Sequence, residues 1–178
     1  METRRGFLAK AGLGCAGLAA LRAGAGTELG AKKIPVGIQL CSFRKQGEKD
    51  FPGIIKKAAE LGFSGVEFAG YGPYGGKPAE LRKLLDDAGI KAFGTHTGFN
   101  LVMPGEIQKT LDFHKTIGCD YVIVPWIDPK QMASTDGVAK VAETLAQAQA
   151  TAQAAGLRLG YHAHGGDFKK IDGERTAW

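Results

Sequence analysis

The chain has 178 residues, 44% of them hydrophobic and 23% charged, with no charge run and no low-complexity tract. That is the balance of a globular protein with room for one well-buried core. Positions 1–25 hold four basic residues and one acidic residue, which account for +3 of the net +5 and leave +2 for the rest. A near-neutral remainder points away from a nucleic-acid surface or an anionic membrane.

The first 25 residues read as an export signal. Thr3-Arg4-Arg5-Gly6-Phe7-Leu8 is a twin-arginine pattern, a weakly apolar Gly/Ala/Leu stretch follows, and Ala23-Gly24-Ala25 offers a small-residue cleavage site. Seven glycines between Gly6 and Gly30 make an amphipathic helix costly, and Arg22 interrupts any membrane span. The expectation is export to the periplasm or another extracytoplasmic space, without stable membrane insertion. Residues 26–33 form a small, polar linker, and 34–178 are left as the folded domain.

In chain order, the domain predicts a strand over Ile34–Phe43, a helix over Phe51–Leu61 capped by Asp50, and a strand at Val66–Phe68. A Gly/Tyr loop precedes a helix over Pro78–Ala88, which is followed by a strand ending at Thr95-His96. Next come a helix over Glu106–Ile117, a strand over Tyr121–Trp126, an alanine-rich helix over Val138–Ala155 and a strand over Leu157–His162. Residues 174–178 read as the entry to a further helix. Cys41 and Cys119, in apolar strand contexts, are expected to be buried and inert. His114, beside Lys115 in mid-helix, is expected to be a solvated surface histidine.

Four helices run into a glycine and then a strand: at Gly62, Gly89, Gly118 and Gly156. Glycine can take the left-handed conformation that closes a last helical turn, so each joint is a helix stop feeding a strand. Repeated units of this kind build a parallel sheet whose chemistry lies beyond the carboxyl ends of its strands. Two architectures fit: a partial (β/α)8 TIM barrel with about five of eight βα units, or an open doubly wound parallel sheet. Cys41-Ser42-Phe43-Arg44-Lys45-Gln46-Gly47 is not the phosphate loop that an open nucleotide-binding sheet places after its first strand, which favours the barrel. Five units would leave both edge strands open, so the chain reads as truncated after strand five or as one that pairs with another copy.

The polar residues at the strand tips are Gln39, Glu67, His96, Trp126, His162, His164 and Asp167. His162 and His164 are two apart on an extended segment and share a face. Gly165 and Gly166 let the chain turn and bring Asp167 near the same centre. Two imidazoles and a carboxylate suit a divalent metal, and Glu67 and His96 are placed to orient a hydroxylated substrate or move its protons. Duller readings stand beside these: Glu67 as a rim ion-pair partner, Asp167 as a turn or helix cap, Trp126 as a packing wall rather than a sugar-stacking platform.

Gly37-Ile38-Gln39-Leu40-Cys41-Ser42, Gly65-Val66-Glu67-Phe68-Ala69-Gly70-Tyr71, Leu84-Leu85-Asp86-Asp87-Ala88-Gly89-Ile90 and Gly160-Tyr161-His162-Ala163-His164 together resemble the sugar phosphate isomerase/epimerase family, a xylose isomerase-like barrel with many exported members. The family pattern at strand five is Tyr-His-Asn-His with an acid just before Phe, where this chain has Ala163 and Asp167. The resemblance implies a divalent metal (Mn, Mg, Co or Zn) bound through His162 or Asp167, with Glu67, His96 and His164 as catalytic groups and Gln39 and Trp126 as substrate-binding groups. It further implies a small-molecule sugar substrate, no nucleic acid, a homo-oligomer as one option, and metal-assisted proton transfer through an enediolate. A keto-polyol dehydratase of the same barrel and a non-catalytic, sugar-binding degenerate module are the alternatives. The apurinic endonuclease branch would need more metal-binding histidines and a basic groove.

Overall fold

The computed structural model describes residues 34–171, 173 and 175–177; the export segment read at 1–25 and the linker read at 26–33 lie outside them. Five parallel strands form one sheet in the order β1-β2-β3-β4-β5: β1 Gly37–Gln39, β2 Gly65–Phe68, β3 Lys91–His96, β4 Tyr121–Val124 and β5 Arg158–Tyr161. Sequential order leaves no point at which the winding reverses, which excludes the doubly wound alternative and gives the first five strands of a TIM barrel. Right-handed returns put every connecting helix on one face of such a sheet.

The helices are α1 Arg44–Gly47, α2 Phe51–Glu60, α3 Pro78–Ala88, α4 Ile107–Ile117 and α5 Thr135–Ala154. Among the described residues no helix is long and apolar enough to cross a membrane. Asp50 caps α2 by accepting the Gly53 N–H at 2.9 Å, and the four glycine joints all have positive φ, between 65° and 87°. Val66, Phe68 and Ala92 pack with Ile54, Ile55, Leu81 and Leu85 in one apolar cluster. Val122, Val124 and Leu157 pack with Leu111, Val141 and Ala152 in a second.

Several expectations are corrected. The first strand ends at Gln39, not Phe43, because Gln39 caps a 3-10 turn over Leu40–Phe43. Cys41 is therefore exposed, with the Arg44 guanidinium donating to its sulfur at 2.7 Å, while Cys119 is buried and its thiol is pushed up to about 11 by desolvation. Leu61 lies off the buried stripe of α2 and is exposed. After β5 the chain forms a 3-10 turn, Gly165–Phe168, and a bridge between Lys170 and Thr176 in place of the expected helical entry.

The largest correction is His114, which is 1% exposed. It lies on the stripe Ile107, Thr110, Leu111, His114 and Ile117 that α4 buries. Its Nδ1–H donates to the Thr110 carbonyl at 2.6 Å, so Nε2 carries the lone pair and accepts from the Thr95 hydroxyl, with the Tyr71 and Thr97 hydroxyls 3.3 and 3.4 Å away. This network bolts α4 to the back of β3. Burial holds the imidazole below its ordinary pKa, opposed in part by the Thr110 bond.

The inner face, away from the helices, is lined by glycine. Gly37 and Gly65 lie under the ring of Phe93, and Gly94 and Gly160 lie beside Ile123. A Cβ on Gly37 would meet the Phe93 ring at 2.6 Å, and one on Gly94 would meet Ile123 at 2.9 Å. The β2–β3 register slips between Val66 and Glu67, so Val66 pairs with Ala92 and Glu67 with Gly94, leaving Phe93 as the extra residue of a bulge. Ala92 and Thr95 face the helices while Phe93 and His96, three residues apart, both face inward.

Replacing Gly65 with Ala forces the Phe93 ring to move and is expected to lower stability by about 1–3 kcal/mol. Gly160→Ala, whose new methyl would meet Ile123 at 3.6 Å, an ordinary contact, is expected to stay within about 0.5 kcal/mol of the parent. Urea denaturation midpoints of the two variants test the assignment; equal midpoints would contradict it.

Candidate active site

Glu67, His96 and His162 come from the carboxyl ends of β2, β3 and β5, yet each offers a ligand atom within 4.8 Å of the others. Glu67 stands one residue before the end of β2, two beyond Gly65 on the inward face. His96 is the last residue of β3, and His162 follows β5 directly. The His96 and His162 rings meet edge to face with centroids 5.0 Å apart. His96 is the most enclosed, with 14% of its side chain exposed against 31% for Glu67.

Nε2 of His96 lies 3.1 Å from Oε1 of Glu67, yet the approach is too far off-line for a hydrogen bond. The atom is buried and has no hydrogen-bond partner among the described residues. A buried ring nitrogen without a partner is costly, so its place opposite a carboxylate and a second imidazole marks a space shaped for a further group. Burial lowers the His96 pKa first; the Glu67 carboxylate opposes that shift, and the His162 and His164 rings add to it. The ring is accordingly neutral around pH 7.

Gln39 stands on the far side of His96, with its amide nitrogen 3.5 Å from Nδ1 and its amide oxygen accepting the Cys41 N–H. Both ends of this side chain, expected to touch substrate, are engaged within the protein. The His164 ring is 4.8 Å from that of His162 but belongs to an adjoining cavity of about 380 Å³, lined by Trp126, Met132, Asp167, Lys169 and Lys170 among others. Asp167 stands outside the Glu67/His96/His162 cluster. Its Oδ2 accepts from the His164 N–H at 2.7 Å and the Tyr161 hydroxyl at 3.1 Å, the turn-capping arrangement that was its duller reading. Burial, and then the Asp167 charge, push the Tyr161 phenol up to about 12. Trp126 follows β4 with its indole 57% exposed at the rim of that cavity.

One carboxylate and two imidazoles make a donor set of the kind that suits a divalent cation, and the unpartnered His96 Nε2 lies beside it. A mixed oxygen and nitrogen set suits Mn, Co or Zn better than Mg, which favours oxygen ligands alone. The sequence had separated Glu67 and His96, as proton-moving groups, from a metal pair drawn from His162 and Asp167. The bulge at Phe93, which turns His96 inward beside Glu67, has no signature in residue spacing. The burial of His114 did have one, in the spacing 107, 110, 111, 114 and 117.

A parallel sheet in sequential order and polar groups converging at the carboxyl ends of its strands are the arrangement of part of a (β/α)8 barrel with a site at its mouth. Residues 55–177 match the family model described as the xylose isomerase-like TIM barrel, and the chain belongs to that family. Among solved structures it is similar to a sugar phosphate isomerase/epimerase from Parabacteroides distasonis, at 22% identity and TM-score 0.67, covering 86% of this chain and 58% of that one. It is also similar to a xylose isomerase-like TIM barrel protein from Mycobacterium smegmatis in complex with magnesium, at 14% identity and TM-score 0.54, covering 72% and 55%. A third is a D-allulose 3-epimerase from Methylomonas sp. in complex with D-allulose, at 15% identity and TM-score 0.52, covering 72% and 50%. The chain thus spans between half and three fifths of each relative's length, and identities this low speak for the fold. No curated protein matches the chain.

The two depressed histidines give stability a definite pH dependence. A neutral His114 or His96 in the fold, against an unfolded value near 6.5, means that the unfolded chain binds more protons below that value. Their contribution is complete above pH 6.5 and is lost as the pH falls from there toward the folded pKa values. The urea midpoint is expected to drop between about pH 7 and pH 5. In His114→Gln, less stable at pH 7 but unable to titrate at this position, the drop should be shallower; an unchanged slope would show that His114 is not held neutral.

Proposed function

We propose that this chain carries part of the centre of a sugar isomerase or epimerase that acts on a ketose or keto-sugar by metal-assisted proton transfer. The observation that supports it above the others is the convergence of Glu67, His96 and His162 at the carboxyl ends of three strands in a xylose isomerase-like barrel. The relatives' sugar ligand and isomerase names agree with this reading.

In this reading Glu67 and His162 would hold the cation. When bound, a divalent metal supplies polarisation of a sugar carbonyl and its neighbouring hydroxyl, which acidifies the carbon-bound proton between them. The Glu67 carboxylate, which would help to hold the cation, would also be the base that takes that proton. The electron pair left on carbon moves into the carbonyl to give an enediolate. His96 donates a hydrogen bond to the developing oxyanion. Returning the proton from Glu67 to the other carbon gives an isomer; an epimer would need a second proton donor at the opposite face of the first carbon. Trp126 offers a flat apolar face to the sugar ring, and His164 stands one ring further out. Export by the twin-arginine route belongs to the same reading and rests on Arg4-Arg5 and the stretch after them.

The test is metal content by mass spectrometry, together with turnover and carbon-bound deuterium exchange on a ketose panel in heavy water. Stoichiometric Mn, Co, Zn or Mg and exchange at a carbon beside the carbonyl are expected. Glu67→Gln should lower the exchange rate by about 10²- to 10⁴-fold, and His162→Ala should lower the metal content. A chain that carries no metal and exchanges no ketose proton would overturn the enzymatic reading.

A further inference from the structure

We infer that Gln39 is a positioning residue that holds His96 in the tautomer protonated at Nε2, so that the ring meets the reacting groups as a hydrogen-bond donor and not as a metal ligand. This deepens the reading above, on which it rests for the place of His96 at the reacting centre.

The inference starts from a backbone group that can only donate. The Cys41 N–H, at the start of the 3-10 turn after β1, points at the Gln39 amide, so the oxygen end of that amide must face it. The nitrogen end is thereby turned to His96, 3.5 Å from Nδ1. An NH₂ group has only hydrogens to offer, so Nδ1 must present its lone pair. A neutral imidazole carries one N–H, which is then on Nε2. That nitrogen is the buried, unpartnered atom 3.1 Å from Glu67 Oε1. Its proton is not shared with that carboxylate, whose approach is off-line.

The tautomer divides the labour of the cluster. Glu67 and His162 keep lone pairs for a cation, whereas His96 keeps a proton for an oxyanion. For His96 to become a ligand, the Gln39 amide would have to turn over and leave the Cys41 N–H facing an NH₂ group. The element that decides this is the 3-10 turn itself, since a strand continuing through Cys41 would point that N–H along the sheet.

The test uses two-bond ¹H–¹⁵N correlation spectra of the metal-free full chain labelled at histidine, recorded at about pH 8, where the ring is neutral. The His96 signals are assigned through a His96→Asn variant. In the parent, His96 is expected to show a protonated Nε2 and a bare Nδ1. Gln39→Glu puts a carboxylate oxygen opposite Nδ1 and is expected to invert the pattern. Gln39→Leu, which removes the selecting group without adding charge, is expected to give a mixture. A bare Nε2 in the parent overturns the inference, as does a pattern unchanged in folded Gln39→Glu or Gln39→Leu. If the charged variant does not fold, the parent and the leucine variant decide the matter. Because the spectra report the resting protein, their failure leaves the sugar chemistry standing, and absent turnover leaves the tautomer standing.

Discussion

A single extra residue in β3 sets the geometry of the candidate site. Side chains alternate along a strand, so residues three apart normally face opposite ways. The bulge at Phe93 breaks that alternation once and lets Phe93 and His96 both face inward while Thr95 faces α4. Without it, an inward Phe93 would send the imidazole into the apolar layer behind the sheet, and Glu67 would stand without its nearest neighbour. Bulges recur beside functional sites because they re-aim a side chain without altering the strands around them.

The same strand is fixed from behind. His114 accepts from the Thr95 hydroxyl with Thr97 close by and donates its Nδ1–H to a helix carbonyl, which clamps α4 to the residues on either side of His96. The backbone that carries His96 is therefore fixed from behind, and the ring itself lies among Gln39, Glu67 and His162. Preorganisation of this kind keeps donors aimed where charge develops and avoids paying for reorganisation during the reaction.

The architecture was legible in the residues because each of its signals is local. The glycine joints, the Asp50 cap and the apolar stripes of α2 and α3 act within one turn of helix, and the structure reproduces them with little shift. The site was legible only in outline. Glu67, His96 and His162 stood out as polar residues at strand tips, but their grouping depends on a register slip that spacing does not record. Asp167 read equally well as a ligand or a cap, since an acid after two glycines suits both, and the Tyr161 hydroxyl that engages it lies six residues back in a strand. His114 was misread for a different reason: a histidine beside a lysine was taken as polar context, although its position on the helix repeat outweighed its neighbour.

The glycines of the inner face have a consequence for how such a scaffold can diversify. Because Gly37, Gly65, Gly94 and Gly160 present bare backbone, the side chains that lie against them are Phe93 and Ile123. Neither carries a proton or a lone pair that the chemistry uses. Trimming either one would open room over the glycines without removing the acid or the imidazoles above, so the cup can change size at apolar positions while its polar groups are inherited unchanged.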